Sequence, residues 1–327
     1  MDISTQYMGF QLRNPVIVGS SGLTSTLDGV IGSEKSGAGA VVLKSLFEEQ
    51  IIDNYKTRMS EFKIDNVYPE AEEYLSHHTK MKSVENYLTL IRNSKKAVSI
   101  PVIASVNCVS FSEWTNFAKE MQLAGADAIE LNISIYPSDI TRSSAQHEEM
   151  YIEILNEVVK NVSVPVSLKI SPYFSSLAKS ALRFSFTGIK GLVLFNRLYS
   201  PDIDIDTLEI VPGNIFSSPD EITLPVRWAS ILSERVSCDI AASTGIHDGK
   251  GLVKVLLAGA KAAQICSILY MSGFEEISKM LNFLEDYMEN HGYSALDQFI
   301  GKMSMRNTDN PPALDRVQFM QHFIDVK

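Results

Sequence analysis

The sequence predicts one (β/α)8 barrel, the TIM barrel of the α/β class, over residues 1–327, with long insertions after strands 2 and 6. Three observations predict it. Short apolar runs that follow a proline alternate along the chain with short apolar runs that follow a glycine, and together they give eight strands. Segments with helical character separate the runs. A glycine-rich phosphate fingerprint after the first strand, which an open doubly wound sheet would need, is absent.

The proline-led runs predict the odd-numbered strands of the barrel. Proline suits the first residue of a strand, where no donor of the ladder is lost. The runs are VIVGSS after Pro15, VIASVN after Pro101, VSLKIS after Pro165, and IAAST after Asp239 without a proline. They are apolar almost throughout, which is typical of parallel strands that are buried on both faces.

The glycine-led runs predict the even-numbered strands. Gly37, Gly125 and Gly259 each precede an alanine and suit the left-handed position just past a helix, and Gly188 is a looser copy. The runs are AVVLK to Lys44, AIELN to Asn132, GLVLFN to Asn196 and AAQIC to Cys266. The two kinds of run alternate along the chain, as repeated βα units should.

Two connections are longer than ordinary loops. One covers about 47–98 and contains a helical stretch near 84–92, and the other covers about 197–225. Long connections in compact domains are usually lids or binding loops. Because both follow strands, we expect both on the C-terminal face of the barrel. A core-packed helix is predicted over 113–124 by the helical spacing of Trp114, Phe117, Ala118 and Met121.

Composition excludes several classes of function. The net charge of −10 leaves no basic footprint for nucleic acid. Cys108, Cys238 and Cys266 form no Cys-x-x-Cys pair, so neither an iron–sulfur cluster nor a zinc ribbon is predicted. The N-terminus shows no apolar signal core, and no run reaches the ~20 apolar residues that span a bilayer. We expect a cytoplasmic protein that acts on a small molecule, without a membrane partner.

Polar residues end the predicted strands, and in a barrel these ends converge on one face. Lysine at two of the tips, Lys44 and Lys169, is unusual. The loops after the last two strands commonly hold a phosphate through backbone N–H groups. The candidate binding residues are Ser20, Ser21, Lys44, Ser45, Asn107, Asn132, Lys169, Asn196, Ser243, Thr244, Gly245, Cys266 and Ser267.

Taken together, these motifs resemble the soluble, FMN-dependent class of the dihydroorotate dehydrogenase family. The resemblance runs from about residue 3 to residue 305. Its longest segment covers 224–270 and is followed by GYSA at 292–295. The shorter segments are NP at 14–15, SSG at 20–22, KS at 44–45, ELN at 130–132, LKI at 168–170 and PY at 172–173.

The resemblance implies that FMN is the cofactor. A lysine beside the N1–C2=O edge of the ring would stabilise the reduced flavin. Asn196 would face the substrate or the ring, and a homodimer is expected. The residues along the ring and ribityl chain would be Ser20, Ser21, Lys44, Asn132 and Lys169. The residues around the phosphate would be Thr244, Gly245, Cys266 and Ser267.

The substrate side departs from the family pattern. The family has Asn-Leu-Ser-Cys-Pro-Asn, in which Cys or Ser is the base that takes a proton from dihydroorotate, whereas this chain has NISIYP over 132–137. Ile135 cannot accept a proton, and Pro137 replaces an asparagine. The family's substrate loop has no copy within 47–98. Candidate replacement bases are Ser134, Tyr136 and Cys108. The predicted catalytic residues are Lys44, Ser134 and Lys169.

The leading hypothesis is an FMN-dependent oxidoreductase that takes hydride from a small cyclic substrate. Dihydroorotate, in pyrimidine biosynthesis, is the default substrate. Two alternatives stay open. A flavin-free lyase or isomerase would act on a phosphorylated substrate and use Lys169 as a Schiff base. A non-catalytic flavin-binding paralogue would account for Ile135.

Other polar residues are assigned to the surface. We expect His147 in an exposed helix start and His247 in a solvent-facing loop. Asp202, Asp204 and Asp206 alternate, but no glycine or terminal glutamate completes a calcium loop. No metal site is therefore predicted.

Overall fold

The structure is a computed structural model that describes residues 1–49, 69–108, 110–198 and 200–315. Its strands are β1 (Thr5–Tyr7), β2 (Phe10–Leu12), β3 (Val16–Val18), β4 (Ala40–Val42), β5 (Leu46–Phe47), β6 (Val102–Asn107), β7 (Ala128–Asn132), β8 (Val166–Ile170), β9 (Gly191–Leu194), β10 (Pro201–Asp204), β11 (Glu209–Pro212), β12 (Asp239–Ser243) and β13 (Ala262–Ile265). Its helices are α1 (Leu27–Lys35), α2 (Pro69–Ala97), α3 (Phe111–Leu123), α4 (Ser144–Asn161), α5 (Leu177–Ser185), α6 (Thr223–Leu232), α7 (Gly249–Leu257), α8 (Ser267–Ser272), α9 (Glu276–Asn290) and α10 (Pro312–Asp315).

Eight of these strands form a closed parallel barrel. They lie in the order β4-β3-β13-β12-β9-β8-β7-β6, and the pairing of Val41 in β4 with Val102 in β6 closes the ring. A helix stands between barrel strands that follow one another along the chain, so each crossover returns the chain in the same direction. These strands are the eight that the sequence predicts, and the predicted (β/α)8 barrel is confirmed.

The N-terminal hairpin of β1 and β2 closes the end of the barrel where the strands begin. Tyr7, Met8 and Leu12 are buried in one apolar cluster with side chains from the barrel interior. The Asp239 carboxylate, at the start of β12, accepts a hydrogen bond of 2.8 Å from the Met8 amide and fixes the hairpin there. The interior side chains of this cluster are Ile17, Ala40, Val42, Ile103, Ala128, Val193, Ala241 and Ala262.

The helices pack their apolar faces on the outside of the barrel. In α3 the buried residues are Trp114, Phe117, Ala118 and Met121, which confirms the helix predicted from their spacing. Gly125 follows the end of the helix, and its φ of +97° is the left-handed conformation that favours glycine. Within the described part of the chain, no helix combines the length and the apolar character that crossing a bilayer requires.

One hydrogen-bond motif occurs twice and explains part of the sequence repeat. Glu34, near the end of α1, accepts bonds from the Ser99 amide, the Ser99 hydroxyl and the Ile100 amide at 2.6, 2.7 and 3.2 Å. Gln122, near the end of α3, accepts the same three bonds from Ser163 and Val164 at 2.6, 3.2 and 3.2 Å. Each motif ties a helix end to the segment just before a proline-led strand. It satisfies two backbone donors that the strand ladder leaves free.

The two long connections differ in structure. Most of the first connection is helix α2, which begins at Pro69 and is far longer than the stretch predicted near 84–92; Tyr87, Leu88 and Ile91 pack it on the barrel. Residues 50–68 lie outside the described residues. The second connection contains the antiparallel hairpin of β10 and β11 and a 3-10 turn at Pro219–Ile222. Asp204 accepts bonds from the Asp206 and Thr207 amides, so it stabilises the hairpin turn.

We predict that Glu34 and Gln122 stabilise the barrel by similar bonds but respond differently to acid. Burial raises the pKa of the Glu34 carboxyl, but the Ser99 and Ile100 bonds and the Arg13 charge outweigh it, so the pKa lies below the ordinary 4.5. Glu34→Ala should lower the free energy of unfolding by about 1–2 kcal/mol at neutral pH, and Gln122→Ala by about 1 kcal/mol.

Urea unfolding at several pH values checks this prediction. A carboxyl whose pKa is lowered by folding contributes its full stability above its unfolded pKa and loses it as the pH falls through its folded pKa. The Glu34→Ala deficit should therefore shrink below pH 4.5, the ordinary value. The Gln122→Ala deficit should not change, because an amide does not titrate. Equal pH responses of the two variants would contradict the prediction.

Candidate functional site

The interior of the barrel changes from apolar to polar along the strands. Successive side chains of a strand point to opposite faces, so every second residue faces the barrel axis. In β7 the series is Ala128, Glu130 and Asn132, and all three are buried. The series in β6 is Ile103, Ser105 and Asn107, and the series leading out of β13 is Ala262, Gln264 and Cys266. The apolar layer lies against the β1–β2 hairpin that closes the N-terminal end of the barrel, and the polar layers lie at the C-terminal end.

Three serine hydroxyls form a connected group at one side of this polar end. Ser45 Oγ lies 3.1 Å from Ser20 Oγ and 2.7 Å from Ser105 Oγ. The Ser45 amide also donates to Ser20 Oγ at 2.8 Å. Tyr87 of α2 donates to the carbonyl of Ser105 and accepts from its amide, so the helix anchors the group. These bonds orient the tips of β3, β4 and β6 toward one another.

Three asparagines meet beside this group. Asn196 Nδ2 donates to Asn132 Oδ1 at 2.8 Å and to Ser134 Oγ at 2.9 Å. Asn107 Nδ2 donates to the Asn132 carbonyl at 2.8 Å. Asn132 Nδ2 lies 3.5 Å from Ser45 Oγ and connects the asparagines to the serines. The structure thus brings together the tips of five strands that the sequence places far apart.

Lys169 is held by a partner from across the barrel. Its Nζ donates to Gln264 Oε1 at 2.9 Å, and Gln264 Nε2 donates to Glu130 Oε2 at 2.6 Å. All three side chains are more than nine-tenths buried. Neither Glu130 nor Gln264 was predicted as a site residue. The signal was available, because Glu130 and Asn132, like Gln264 and Cys266, are two residues apart and must face the same axis.

A cleft opens between the polar layers and the loops after β12 and β13. Thr244 and Gly245 have φ values of +83° and +77°. A Cβ on Gly245 would lie 2.2 Å from the Ile222 amide nitrogen, so glycine is required there. The cleft is lined by Ser20, Lys169, Asn196, Arg197, Ile215, Ser217, Ser243, Thr244, Gly245, Ile246, Gln264, Ile265, Cys266 and Ser267.

One segment, the strap (Gly213–Ile222), crosses the edge of the cleft. The Ser217 amide donates to Ser267 Oγ at 3.0 Å, and Ser217 Oγ lies 2.9 Å from His247 Nε2. His247 is half-buried, so its assignment to a solvent-facing loop is wrong. Burial lowers the pKa of the His247 ring, while Glu221, Asp248 and the Ser217 bond act in the opposite direction. The strap thereby joins the loops after both final barrel strands.

A second cleft adjoins the first and shares Asn196, Arg197 and Thr244 with it. Arg197 Nε donates to Glu221 Oε2 at 2.9 Å, and another guanidinium nitrogen donates to the Ile215 carbonyl at 2.9 Å. Arg197 was not predicted as a site residue. The walls are mainly apolar, and they include Pro172, Tyr173, Phe195, Leu198, Leu224 and Pro225.

The predicted site residues fall into three groups. Ser20, Lys169, Asn196, Ser243, Thr244, Gly245, Cys266 and Ser267 line the first cleft. Ser45, Asn107, Asn132 and Ser134 are joined to them by the bonds above. Lys44 is half-buried just past β4, and its amide donates to the Thr24 carbonyl. Ser21 lies in the turn after β3, and its buried hydroxyl has no hydrogen-bond partner among the described residues. Burial raises the pKa of the Cys266 thiol above its ordinary value.

The loop after β7 carries the departures from the family pattern. Ile135 packs on the core, and its amide donates to the Tyr151 hydroxyl at 3.3 Å. Tyr136 is exposed and contacts Tyr173 edge to face at 5.5 Å. His147 is buried in α4, so its predicted exposure is wrong. The missed signal is its helical spacing with Tyr151, Ile154 and Leu155 on the packed face of α4.

Comparison with known proteins identifies the family of this chain. The family model described as dihydroorotate dehydrogenase matches residues 2–288. Two relatives are each named dihydroorotate dehydrogenase B (NAD(+)), catalytic subunit. The relative from Thermoplasma acidophilum is 26% identical over 309 residues, with 92% of this chain and 98% of the relative covered. The relative from Methanothermobacter thermautotrophicus is 28% identical over 308 residues, with 91% and 97% covered. This chain belongs to the dihydroorotate dehydrogenase family.

Proposed function

We propose that this chain is an FMN-dependent oxidoreductase that oxidises a small cyclic substrate, with dihydroorotate as the default. The observation that carries the proposal is the convergence of Lys169, Asn196 and Ser20 on the cleft beside the loops after β12 and β13, with Asn132 bonded to Asn196. The relatives' names, which describe dihydroorotate dehydrogenases, support the reaction type. The family's role in pyrimidine biosynthesis is proposed with it.

The residues present fit FMN in two respects. The cleft is lined largely by hydroxyl, amide and ammonium groups, which match the carbonyl, nitrogen and hydroxyl groups of a flavin and its ribityl chain. The loops after β12 and β13 carry the small or hydroxyl-bearing residues Thr244, Gly245 and Ser267, which line the cleft and whose backbone N–H groups would bind a phosphate. The Lys169 ammonium, whose direct partner Gln264 is neutral, favours an anion in a chain whose net charge is −10.

FMN, when bound, would accept hydride from the substrate. Lys169 would hold its positive charge where negative charge develops on the cofactor, in a buried site that strengthens the interaction. Lys44, at the tip of a neighbouring strand, would add a second positive charge. Ser20, Asn132 and Asn196 would bind the cofactor and keep the substrate oriented. Thr244, Gly245, Cys266 and Ser267 would hold the phosphate.

Ser134 is the base that we propose in place of the family's Cys or Ser. Ile135 has no proton acceptor, and Ser134 is its immediate neighbour at the tip of β7. Asn196 Nδ2 donates to Ser134 Oγ at 2.9 Å, which holds the hydroxyl beside Asn196, a residue that lines both clefts. Ser134 Oγ donates a long hydrogen bond of 3.5 Å to Asn132 Oδ1, which orients the hydroxyl. Ser134 is half-buried, so its own proton would pass to solvent water as Oγ takes one from the substrate.

The absorption spectrum of the purified protein tests the cofactor. We expect yellow protein, or colourless protein that takes up added FMN. Lys169→Met should slow the reduction of bound FMN by substrate by about 10²-fold, because one charge that stabilises the reduced state is lost. Lys119→Met, at an exposed position on α3, is the control and should change nothing. Protein that refuses FMN would contradict the proposal and favour the flavin-free lyase or isomerase.

Anaerobic mixing with dihydroorotate tests the substrate and the base. We expect the FMN absorbance to bleach, and Ser134→Ala to slow the bleaching by about 10²-fold or more. Tyr136→Phe tests another candidate base and should leave the rate unchanged, since the Tyr136 ring is exposed. Lys119→Met is again the control. If the parent protein does not bleach but Ile135→Cys does, the chain is a flavin-binding paralogue that has lost the reaction. Unchanged rates in Ser134→Ala would place the base elsewhere.

We also propose that the protein is a homodimer that contacts its copy through the β10–β11 hairpin. Register pairs Ile203 with Ile210 on one face and Asp204 with Glu209 on the other, so apolar and acidic side chains are separated. Ile203 and Ile210 are 65% and 75% exposed. Two copies of one uncharged face are complementary to each other. The relatives are named catalytic subunits, so transfer of electrons to NAD would use a further partner chain.

Sedimentation velocity checks the association. The parent chain should sediment as a dimer. The Ile203→Asp, Ile210→Asp double variant should sediment as a monomer, because the new carboxylates of the two copies would be desolvated and would repel one another. Asp202→Asn on the acidic face is the control and should remain dimeric. A dimer that survives the double variant would exclude this face.

A further inference from the structure

The connection from Glu130 through Gln264 to Lys169 crosses the barrel interior. In the closed ring β13 and β7 are four strands apart in both directions, so they stand opposite each other. Gln264 on β13 nevertheless bonds Glu130 on β7 at 2.6 Å and Lys169 on β8 at 2.9 Å. Gln264 therefore crosses the barrel axis and hydrogen-bonds two ionisable groups, which packing of the core alone does not require.

The chemistry of the three groups fixes the direction of the glutamine amide. A carboxylate only accepts hydrogen bonds and an ammonium only donates them. Gln264 must therefore present its NH2 group to Glu130 and its carbonyl oxygen to Lys169, as the structure shows. Reversal of the amide would place donor against donor and acceptor against acceptor. The amide of Gln264 consequently has one orientation, and the Lys169 ammonium donates toward Gln264 Oε1.

The glutamine also keeps the two charges apart. Register pairs Lys169 with Asn132 and Ser167 with Glu130, so Lys169 belongs to the top polar layer and Glu130 to the layer below. In a direct ion pair the carboxylate would draw the ammonium down and neutralise it. With the amide between them, the ammonium remains in the top layer, where it lines the cleft. The carboxylate acts on it through the polarised amide.

Glu130 carries a further sign that it serves a function. Its second oxygen, Oε1, is buried without a hydrogen-bond partner among the described residues. A buried carboxylate with an unsatisfied oxygen is unfavourable for folding, since an apolar residue of similar size would fill the layer at lower cost. The identity of Glu130 is explained if its charge is needed to fix the group above it.

We propose that Gln264 is a positioning residue that uses the buried charge of Glu130 to hold the Lys169 ammonium at the floor of the flavin cleft. The inference rests on the proposed FMN function for its consequence. Its structural part is that the hydrogen bond from Gln264 tethers Lys169, and this part does not depend on FMN. Loss of the tether leaves Lys169 free to approach Glu130 directly, which withdraws positive charge from the cleft.

Gln264→Met tests the tether, because it preserves volume and removes both hydrogen bonds. Ser167→Ala is the matched control: Ser167 lies in the same layer as Glu130, is equally buried, and has only a 3.5 Å contact with the Ile129 carbonyl. The first measurement uses protein without flavin. The rate of Lys169 acetylation by acetic anhydride is compared with that of exposed Lys119 by peptide mass spectrometry.

We expect Lys169 in Gln264→Met to acetylate at least about threefold more slowly than in the parent, since an ammonium paired directly with Glu130 is withdrawn from the cleft and from the reagent. The second measurement is the two-electron midpoint potential of bound FMN. It should fall by about 30 mV, a tenfold change in the equilibrium constant. Both values in Ser167→Ala should match the parent.

Gln264→Met values that match those of Ser167→Ala in both measurements would overturn the proposal. Circular dichroism shows whether the variant folds. If it does not, Gln264→Asn replaces it, because a side chain shorter by one methylene cannot reach both partners, and the same two outcomes decide. If the parent protein binds no FMN, the proposed function fails, while the acetylation rates still decide whether Gln264 tethers Lys169.

Discussion

Closure of the eight strands is the constraint on which the rest of this protein depends. In an open sheet, the inward face of one strand meets only its neighbours. In a closed barrel, alternate side chains of all eight strands face a single axis, so residues remote in the chain share one small volume. Gln264 can reach Glu130 because their strands stand opposite each other across that axis. The barrel interior changes from apolar at the β1–β2 hairpin to polar at its C-terminal end, which we call the polar mouth. This change follows from the residues at every second position of each strand.

The polar mouth must satisfy its own hydrogen bonds, and this requirement shapes the site. Asn132 is bonded by Asn107 and Asn196, and the three serine hydroxyls bond one another. Buried networks of this kind hold side chains in one arrangement. A ligand therefore meets groups that are already oriented, which reduces the conformational entropy that binding would remove. Outside this network, the loop after β7 is apolar at Ile135 and exposed at Tyr136.

Sequence reasoning predicted the fold because each strand carries a local signal. A proline or a glycine begins each apolar run, with Cys238 as the exception, and a polar residue ends it. The tip residues were predicted for the same reason. Glu130 and Gln264 were missed because they lie inside apolar runs, and their meaning appears only when two distant strands face each other. His247 was misjudged because its partner, Ser217, comes from a strap whose path no local pattern determines.

The contact between Gly245 and the strap has a mechanical consequence. Backbone meets backbone there with no side chain between them, so neither segment can move without displacing the other. The loop after β12, where we propose the phosphate, and the strap that leads from the hairpin into α6 are therefore packed directly against each other. An anion drawn into that loop would fix the root of the hairpin as well, although the hairpin never touches it.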